Sequence, residues 1–220
     1  MRAVNLISHA VPFLRVQDTV RQALQLMTDF HITHLPVVQD DKYLGLVEEN
    51  ALLDIADEDT PLGETGLAWN RAAIGEEEHF LAVLRLWKKT RLSVIPVINR
   101  DIELQGVITA TELLLALDEY TAAEEPGGLI VLSIEPRNFS LSEIGRLAES
   151  NDATIVHVAT QKDPTTGMLS VSIKLNRNDI QDILATFQRY EYTIETYFGD
   201  NLSEDDLRSN YAHLMNYLNI

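Results

Sequence analysis

The chain repeats itself, and that repeat limits the folds open to its first 120 residues. His34-Leu35-Pro36-Val37-Val38 returns as Val94-Ile95-Pro96-Val97-Ile98, with the prolines 60 positions apart. Leu44-Gly45-Leu46-Val47 returns as Gln105-Gly106-Val107-Ile108, with the glycines 61 apart and one residue of slip in the turn between. Self-similarity at a fixed period means a duplicated unit whose copies bury their apolar faces against each other. A single unit of about 50 residues is marginal by itself.

Within each copy the pattern changes period. Val20, Ala23, Leu24, Met27 and Phe30 follow helical spacing, and so do Phe80, Val83, Leu84 and Trp87. Thr19 is placed to cap the first helix, with Gln22 as the reciprocal member of a capping box. Two apolar runs around a polar turn follow in each copy, 35–38 with 43–47 and 94–98 with 104–108, and read as paired strands. Proline cannot donate to a ladder, so Pro36 and Pro96 are expected at strand starts or edges. Short helices are expected at 51–55 and 112–117, and residues 57–70, with Pro61, Gly63 and Gly66, read as the connector. Each unit thus reads helix, strand, strand, helix.

The two Pro-Val/Val-Ile motifs, Gly45, Gly106 and the run Gly106-Val107-Ile108-Thr109-Ala110-Thr111-Glu112-Leu113-Leu114 resemble a CBS pair, or Bateman module, with repeats at about 4–57 and 70–118. The resemblance implies regulation in place of catalysis, with AMP, ADP, ATP or S-adenosylmethionine as regulatory ligand and no required cofactor. In that family a hydroxyl residue and, three positions on, an acid follow the second strand; the hydroxyl helps hold phosphate and the carboxylate accepts from ribose hydroxyls. Thr109 and Glu112 stand at those positions in the second repeat, with Thr111 between them. Glu48 and Ala51 stand there in the first, placing a negative charge where phosphate belongs and removing the acceptor. Thr33 and Ser93 match the small polar residue before the Pro-Val motif, with Pro36, Ile95 and Pro96 beside them as further lining that the resemblance implies. A plain structural role stays open: Thr109 or Thr111 capping a helix, and Glu112 at its positive end.

Residues 127–200 read as a second domain. Strands are expected at 129–135, 154–160, 169–175 and 193–198, with helices from Ser140 to about 150 and over 179–189. Ser140 with Glu143 forms a capping-box pattern, and Phe139 with Ile144 a hydrophobic staple. The order βαββαβ is a ferredoxin-like layout and resembles an ACT domain, making the whole chain α+β. Asn138 stands where amino-acid-binding ACT members carry glycine, which adds bulk at the ligand turn and favours a pairing module, hence a homodimer. A CBS pair followed by an ACT-like domain is similar in architecture to acetoin-utilisation accessory proteins. Residues 203–220 are expected to form a C-terminal helix, with Leu207, Tyr211, Leu214 and Leu218 as an apolar seam.

Composition narrows the partners. Through Glu125 there are 10 basic against 21 acidic residues, and 7 against 13 beyond it, so both parts are acidic and a nucleic-acid partner is disfavoured. The chain has no cysteine, which rules out disulfides and thiolate metal sites and fits a cytoplasmic setting. No signal peptide is read at the N-terminus and no apolar run approaches the roughly 20 residues of a membrane span. His31 and His34 straddle a helix end, where their spacing gives no shared face for a metal. The alternative to a nucleotide sensor is an interaction scaffold with degenerate pockets, no small-molecule ligand, and an unknown target protein.

Overall fold

Thr19 starts the first long helix as its spacing predicts. Its hydroxyl accepts from the Gln22 amide at 3.3 Å, and the Gln22 side-chain oxygen accepts from the Thr19 amide at 2.9 Å. The computed structural model describes residues 1–199, so the expected helix over 203–220 lies outside the described residues. The chain divides into two compact units, Met1–Tyr120 and a second beginning at Thr121.

The first unit contains two copies of one plan: β1 (Leu14–Arg15), α1 (Val20–Phe30), β2 (His34–Gln39), β3 (Lys42–Glu48) and α2 (Glu49–Leu53), then β4 (Ile74–Gly75), α3 (Phe80–Thr90), β5 (Val94–Ile98), β6 (Leu104–Thr109) and α4 (Ala110–Thr121). Each copy therefore carries a strand ahead of its first helix that the sequence pattern does not announce. Two residues are too few to display an alternation. Each sheet has the short strand parallel to the central one and the third antiparallel to it, in the orders β1-β2-β3 and β4-β5-β6.

The two prolines occupy equivalent surroundings, but not the expected ones. They lie inside the central strands, opposite Leu46 and Val107. The partners explain why this is tolerated. Leu46 gives its amide to Asn70 at 2.7 Å and accepts from Asn70 at 3.0 Å, while the Val107 carbonyl accepts from Ser8 at 2.8 Å. These polar groups point away from the prolines, so each proline sits at a non-hydrogen-bonded ladder position where no donor is required. The parallel strands join only one residue later, at Val37 and Val97.

Those same contacts interlock the repeats. The segment leading into the first repeat, Ile7-Ser8, crosses the second repeat's sheet at Gly106; the segment leading into the second, Trp69-Asn70, crosses the first repeat's sheet at Gly45. A Cβ on Gly106 would lie 2.3 Å from Ile7 Cγ2, and one on Gly45 would lie 2.7 Å from Trp69 Cβ. Glycine at these positions is what lets the crossing strap approach. One core then serves both repeats: Val20, Ala23, Met27, Leu35 and Val37 cluster with Val83, Val94, Ile95, Val97 and Ile108. Burying each larger aliphatic side chain contributes about 1.5–3 kcal/mol. Phe30 departs from the helical stripe and is exposed, as it falls on the last residue of α1.

The second unit runs β7 (Leu129–Ile134), α5 (Leu141–Glu149), β8 (Ile155–Lys162), β9 (Leu169–Leu175), α6 (Gln181–Arg189) and β10 (Thr193–Phe198). Its sheet has the order β10-β7-β9-β8, fully antiparallel, which is the ferredoxin-like, ACT-like arrangement. Alternation in β9 sends Val171, Ile173 and Leu175 inward to meet Ile130, Leu132 and Ile134 of β7. Ile144, Leu147, Ile183 and Phe187 from the two helices close that core. Ser140 caps α5 through the Glu143 amide at 3.3 Å; the Glu143 carboxylate accepts the Tyr192 hydroxyl at 3.0 Å.

Candidate functional site

At the junction of β6 and α4 the backbone turns from strand to helix, leaving amides without intrahelical partners. Thr109 and Glu112 fill that need. The Thr109 hydroxyl oxygen accepts from the Thr111 amide at 3.2 Å, and the Glu112 carboxylate accepts from the Thr109 amide at 3.0 Å and from the Thr109 hydroxyl. The Ser8 side chain adds a smaller favourable contribution to the Glu112 charge. Ser8 arrives on the strap that crosses Gly106, more than one hundred positions away in sequence. No local signal marks it, and the sequence reading missed it. Partial burial pushes the Glu112 carboxyl upward, but the hydrogen bonds from Thr109, from nearby amides and from Ser8 prevail and hold it below the ordinary carboxylate range. Thr111 is exposed on the first turn of α4.

The cluster can offer an acceptor-only carboxylate to a diol and helix amides to an anion. In its resting geometry, however, Thr109 and Glu112 satisfy each other in the manner of a capping box. The corresponding junction of the first repeat is chemically empty of this pairing. Glu48 precedes α2 without a side-chain cap bond and is exposed, and Ala51 is half-buried.

The other candidate residues fall into two groups. Pro36, Ile95 and Pro96 are buried in the central strands, with Ile95 fully enclosed in the shared core. Thr33 and Ser93 meet each other where the repeats join. The Thr33 amide donates to Ser93 Oγ at 3.1 Å, and the Ser93 amide donates to His34 Nδ1 at 3.4 Å. The same His34 nitrogen lies 3.0 Å from the Thr33 hydroxyl and 3.2 Å from the Ser93 hydroxyl. Burial lowers the His34 pKa, against an opposing contribution from Glu48.

In the second unit, Pro136–Asn138 form a single 3₁₀ turn after β7. The Asn138 amide donates to the Glu135 carbonyl at 2.8 Å, and the Glu135 carboxylate takes the Arg137 guanidinium at 2.6 Å. A cavity of about 430 Å³ beside this turn is lined by Glu135, Asn138, Glu143, Tyr190, Glu191 and Tyr192, among others. Burial and the bond to Glu143 push the Tyr192 phenol up to about 12.

The CBS-domain family profile matches residues 3–64 and 70–119, together just over half of the chain. A homoserine O-acetyltransferase from Methanobrevibacter ruminantium is 30% identical over 117 residues, which are 53% of this chain and 24% of that protein. The chain thus spans about a quarter of the length of that curated relative. Among solved structures, a CBS domain pair/ACT domain protein from Thermotoga maritima is similar at TM-score 0.50 and 22% identity, over 54% of this chain and 98% of that one. A Vibrio cholerae structure assigned to acetoin utilization is similar at TM-score 0.49 and 22% identity, over 57% of this chain and 97% of that one. At 22% identity the Thermotoga maritima structure shows a shared fold. Among the described residues no helix is long and apolar enough to cross a membrane.

Proposed function

The chain belongs to the CBS-domain family, and from that premise we propose that its first unit is a ligand-responsive regulatory module that takes an adenine nucleotide at the second repeat. The observation that carries this reading is the convergence of Thr109, Glu112 and Ser8 at the head of α4, a cluster the first repeat lacks. In the proposal Glu112 accepts from the ribose hydroxyls, and Thr109 with the first amides of α4 holds phosphate. Thr111, exposed on the same turn, adds a hydroxyl to the rim. Thr33 and Ser93 would give the cleft its polar lining, and Pro36, Ile95 and Pro96, buried in the central strands, would form its apolar floor. A ligand can shift the packing of the repeats only by binding one arrangement better than another. Such a difference would arise at the crossing strap, which brings Ser8 to Glu112 from the other end of the unit. The second unit, as a pairing module, would join two chains into a homodimer. The cytoplasm is where this ligand class is at hand, and no catalytic role is assigned.

Calorimetry of the full chain with AMP, ADP, ATP and S-adenosylmethionine tests the reading. Saturable binding at one site per chain, lost in Glu112→Ala and kept in Glu48→Ala, is the expected result. No heat and no thermal shift with any of the four would overturn it. Light scattering should give twice the 24.8 kDa chain mass; a monomer at micromolar concentration would remove the pairing role.

A second reading has its own support: Glu112 is already satisfied by the Thr109 amide and hydroxyl, as a capping residue would be. On that reading the pair is an interaction scaffold without a small ligand. Capture of a protein target by the full chain, unchanged by added nucleotide and by Glu112→Ala, would favour it.

A further inference from the structure

The polar contacts where the repeats join are reciprocal but not symmetric. The first repeat gives the Thr33 amide to Ser93 Oγ, and the second gives the Ser93 amide to His34 Nδ1. A backbone amide can only donate. A ring nitrogen that receives it is the unprotonated one, so this contact fits neutral His34 with its ring hydrogen on Nε2. The hydroxyls of Thr33 and Ser93, 3.0 and 3.2 Å from the same nitrogen, can rotate to donate or accept. The Ser93 amide has no such freedom. At the equivalent place in the second repeat stands Val94, which is fully buried and has no group that can titrate.

We propose that His34 is a proton-operated catch across the repeat junction: unprotonated, it holds the Ser93 amide, and protonation of Nδ1 ejects that amide and loosens the join. When Nδ1 gains a proton, two N–H groups face each other. The hydroxyls turn to accept, and the part-buried Ser93 amide is left without its acceptor.

The charged group that acts on the ring is Glu48, its cross-strand neighbour on β3. The second repeat presents Ser93 and Val94 on its side, neither of them charged. From α2 comes the Glu49 amide, spent on the Thr33 carbonyl at 3.0 Å, so the catch is also tied to the start of that helix. Glu48 favours the protonated ring and burial disfavours it; burial prevails, and the folded pKa lies below the ordinary 6.5. The sign follows from proton linkage. The unfolded chain binds the proton more readily, so the contribution of the catch is complete above about pH 6.5 and is lost as pH falls through the folded value.

The test uses the full chain without nucleotide, so it is independent of the ligand reading. Long-range ¹⁵N–¹H correlation of the imidazoles from pH 8 to 4.5, with His34 assigned by its loss in His34→Val, should show the Nε2–H tautomer at high pH. The ring should titrate below 6.5, and the Ser93 amide resonance should move with the same midpoint. An Nδ1–H tautomer, or a Ser93 amide that does not follow the ring, overturns the proposal. Thermal unfolding gives the second readout: between pH 7 and 5 the wild type should lose more Tm than His34→Val. Parallel curves would sink the catch. Should the valine variant fail to fold, the wild-type resonances with assignment by Ser93→Ala decide the matter.

Discussion

The two repeats of the first unit agree ladder pair by ladder pair and disagree where strand passes into helix. Pro36 faces Leu46 as Pro96 faces Val107, Val37 faces Gly45 as Val97 faces Gly106, and both ladders slip at the next residue. At the junction that follows, the first repeat has exposed Glu48 and half-buried Ala51, and the second has the Thr109–Glu112 pair. The difference teaches where duplication is constrained. Buried positions must keep volume and pattern because both copies share one core. The junctions face outward and can diverge, so one copy can keep a polar cluster that the other has lost.

The largest test of this comparison is in the core. Leu35 and Ile95 hold equivalent ladder positions, and both are fully buried. Leu35→Ala and Ile95→Ala should each cost about 2–5 kcal/mol, the range for truncating a buried aliphatic side chain. Both tryptophans, Trp69 and Trp87, lie in the first unit, so their fluorescence in urea reports that unit alone. Were one truncation to cost less than about 1 kcal/mol while the other stays in range, the shared core would be wrong.

Next in size are the strap crossings, where the repeats differ in how they can yield. A new Cβ at Gly45 meets Trp69 Cβ at 2.7 Å and the Asn70 carbonyl oxygen at 3.1 Å, atoms held by the backbone. At Gly106 it meets the Cγ2 methyl of Ile7 at 2.3 Å, a side-chain atom that yields through a change of χ1 without moving the backbone. Gly45→Ala should therefore destabilise more than Gly106→Ala, with both inside the roughly 1–3 kcal/mol of overpacking. Equal or reversed effects in the same urea assay would show that the straps do not press on the glycines as described. Helix capping gives a smaller contrast. Thr19→Ala removes a complete capping box and should cost about 1 kcal/mol. His79→Asn, which loses the ring contacts to Phe80 and Tyr120 but keeps a side chain able to cap, should cost less than Thr19→Ala, because the His79 cap is one long bond of 3.4 Å to the Leu81 amide.

What was legible in the sequence, and what was not, follows the range of the interactions. The helical stripe Val20, Ala23 and Met27, the Thr19–Gln22 box and the strand over Leu169–Leu175 are local patterns, and the structure has them. The Thr109–Glu112 pair was visible because its two members are three residues apart. Ser8 was not, since it reaches Glu112 only through the crossing strap, and His34 was weighed only as a metal ligand because its bond to Ser93 spans 59 positions. The strand-interior prolines were misplaced for a related reason. Their tolerance depends on Asn70 and Ser8 turning the partner residues outward, which no property of the proline motif itself reveals.

The smallest expected effect separates the two acids at the junctions. Glu112 is held below its ordinary 4.5 by bonds that exist only in the folded chain, so its contribution is present above that value and is lost as pH falls through the folded one. Glu112→Gln should therefore cost about 0.5–1.5 kcal/mol at neutral pH, and the gap to wild type should close on acidification below 4.5. Glu48 makes no cap bond, but it favours the protonated form of His34. Glu48→Gln should change stability by less than about 0.5 kcal/mol and act in a different window, at and below the ordinary 6.5 of that histidine. Urea midpoints of the three proteins from pH 7 to 4 distinguish these windows. A Glu112→Gln gap that stays constant with pH would mean the Thr109–Glu112 cluster does not hold its charge by folding, and the asymmetry between the repeats would then have no electrostatic basis.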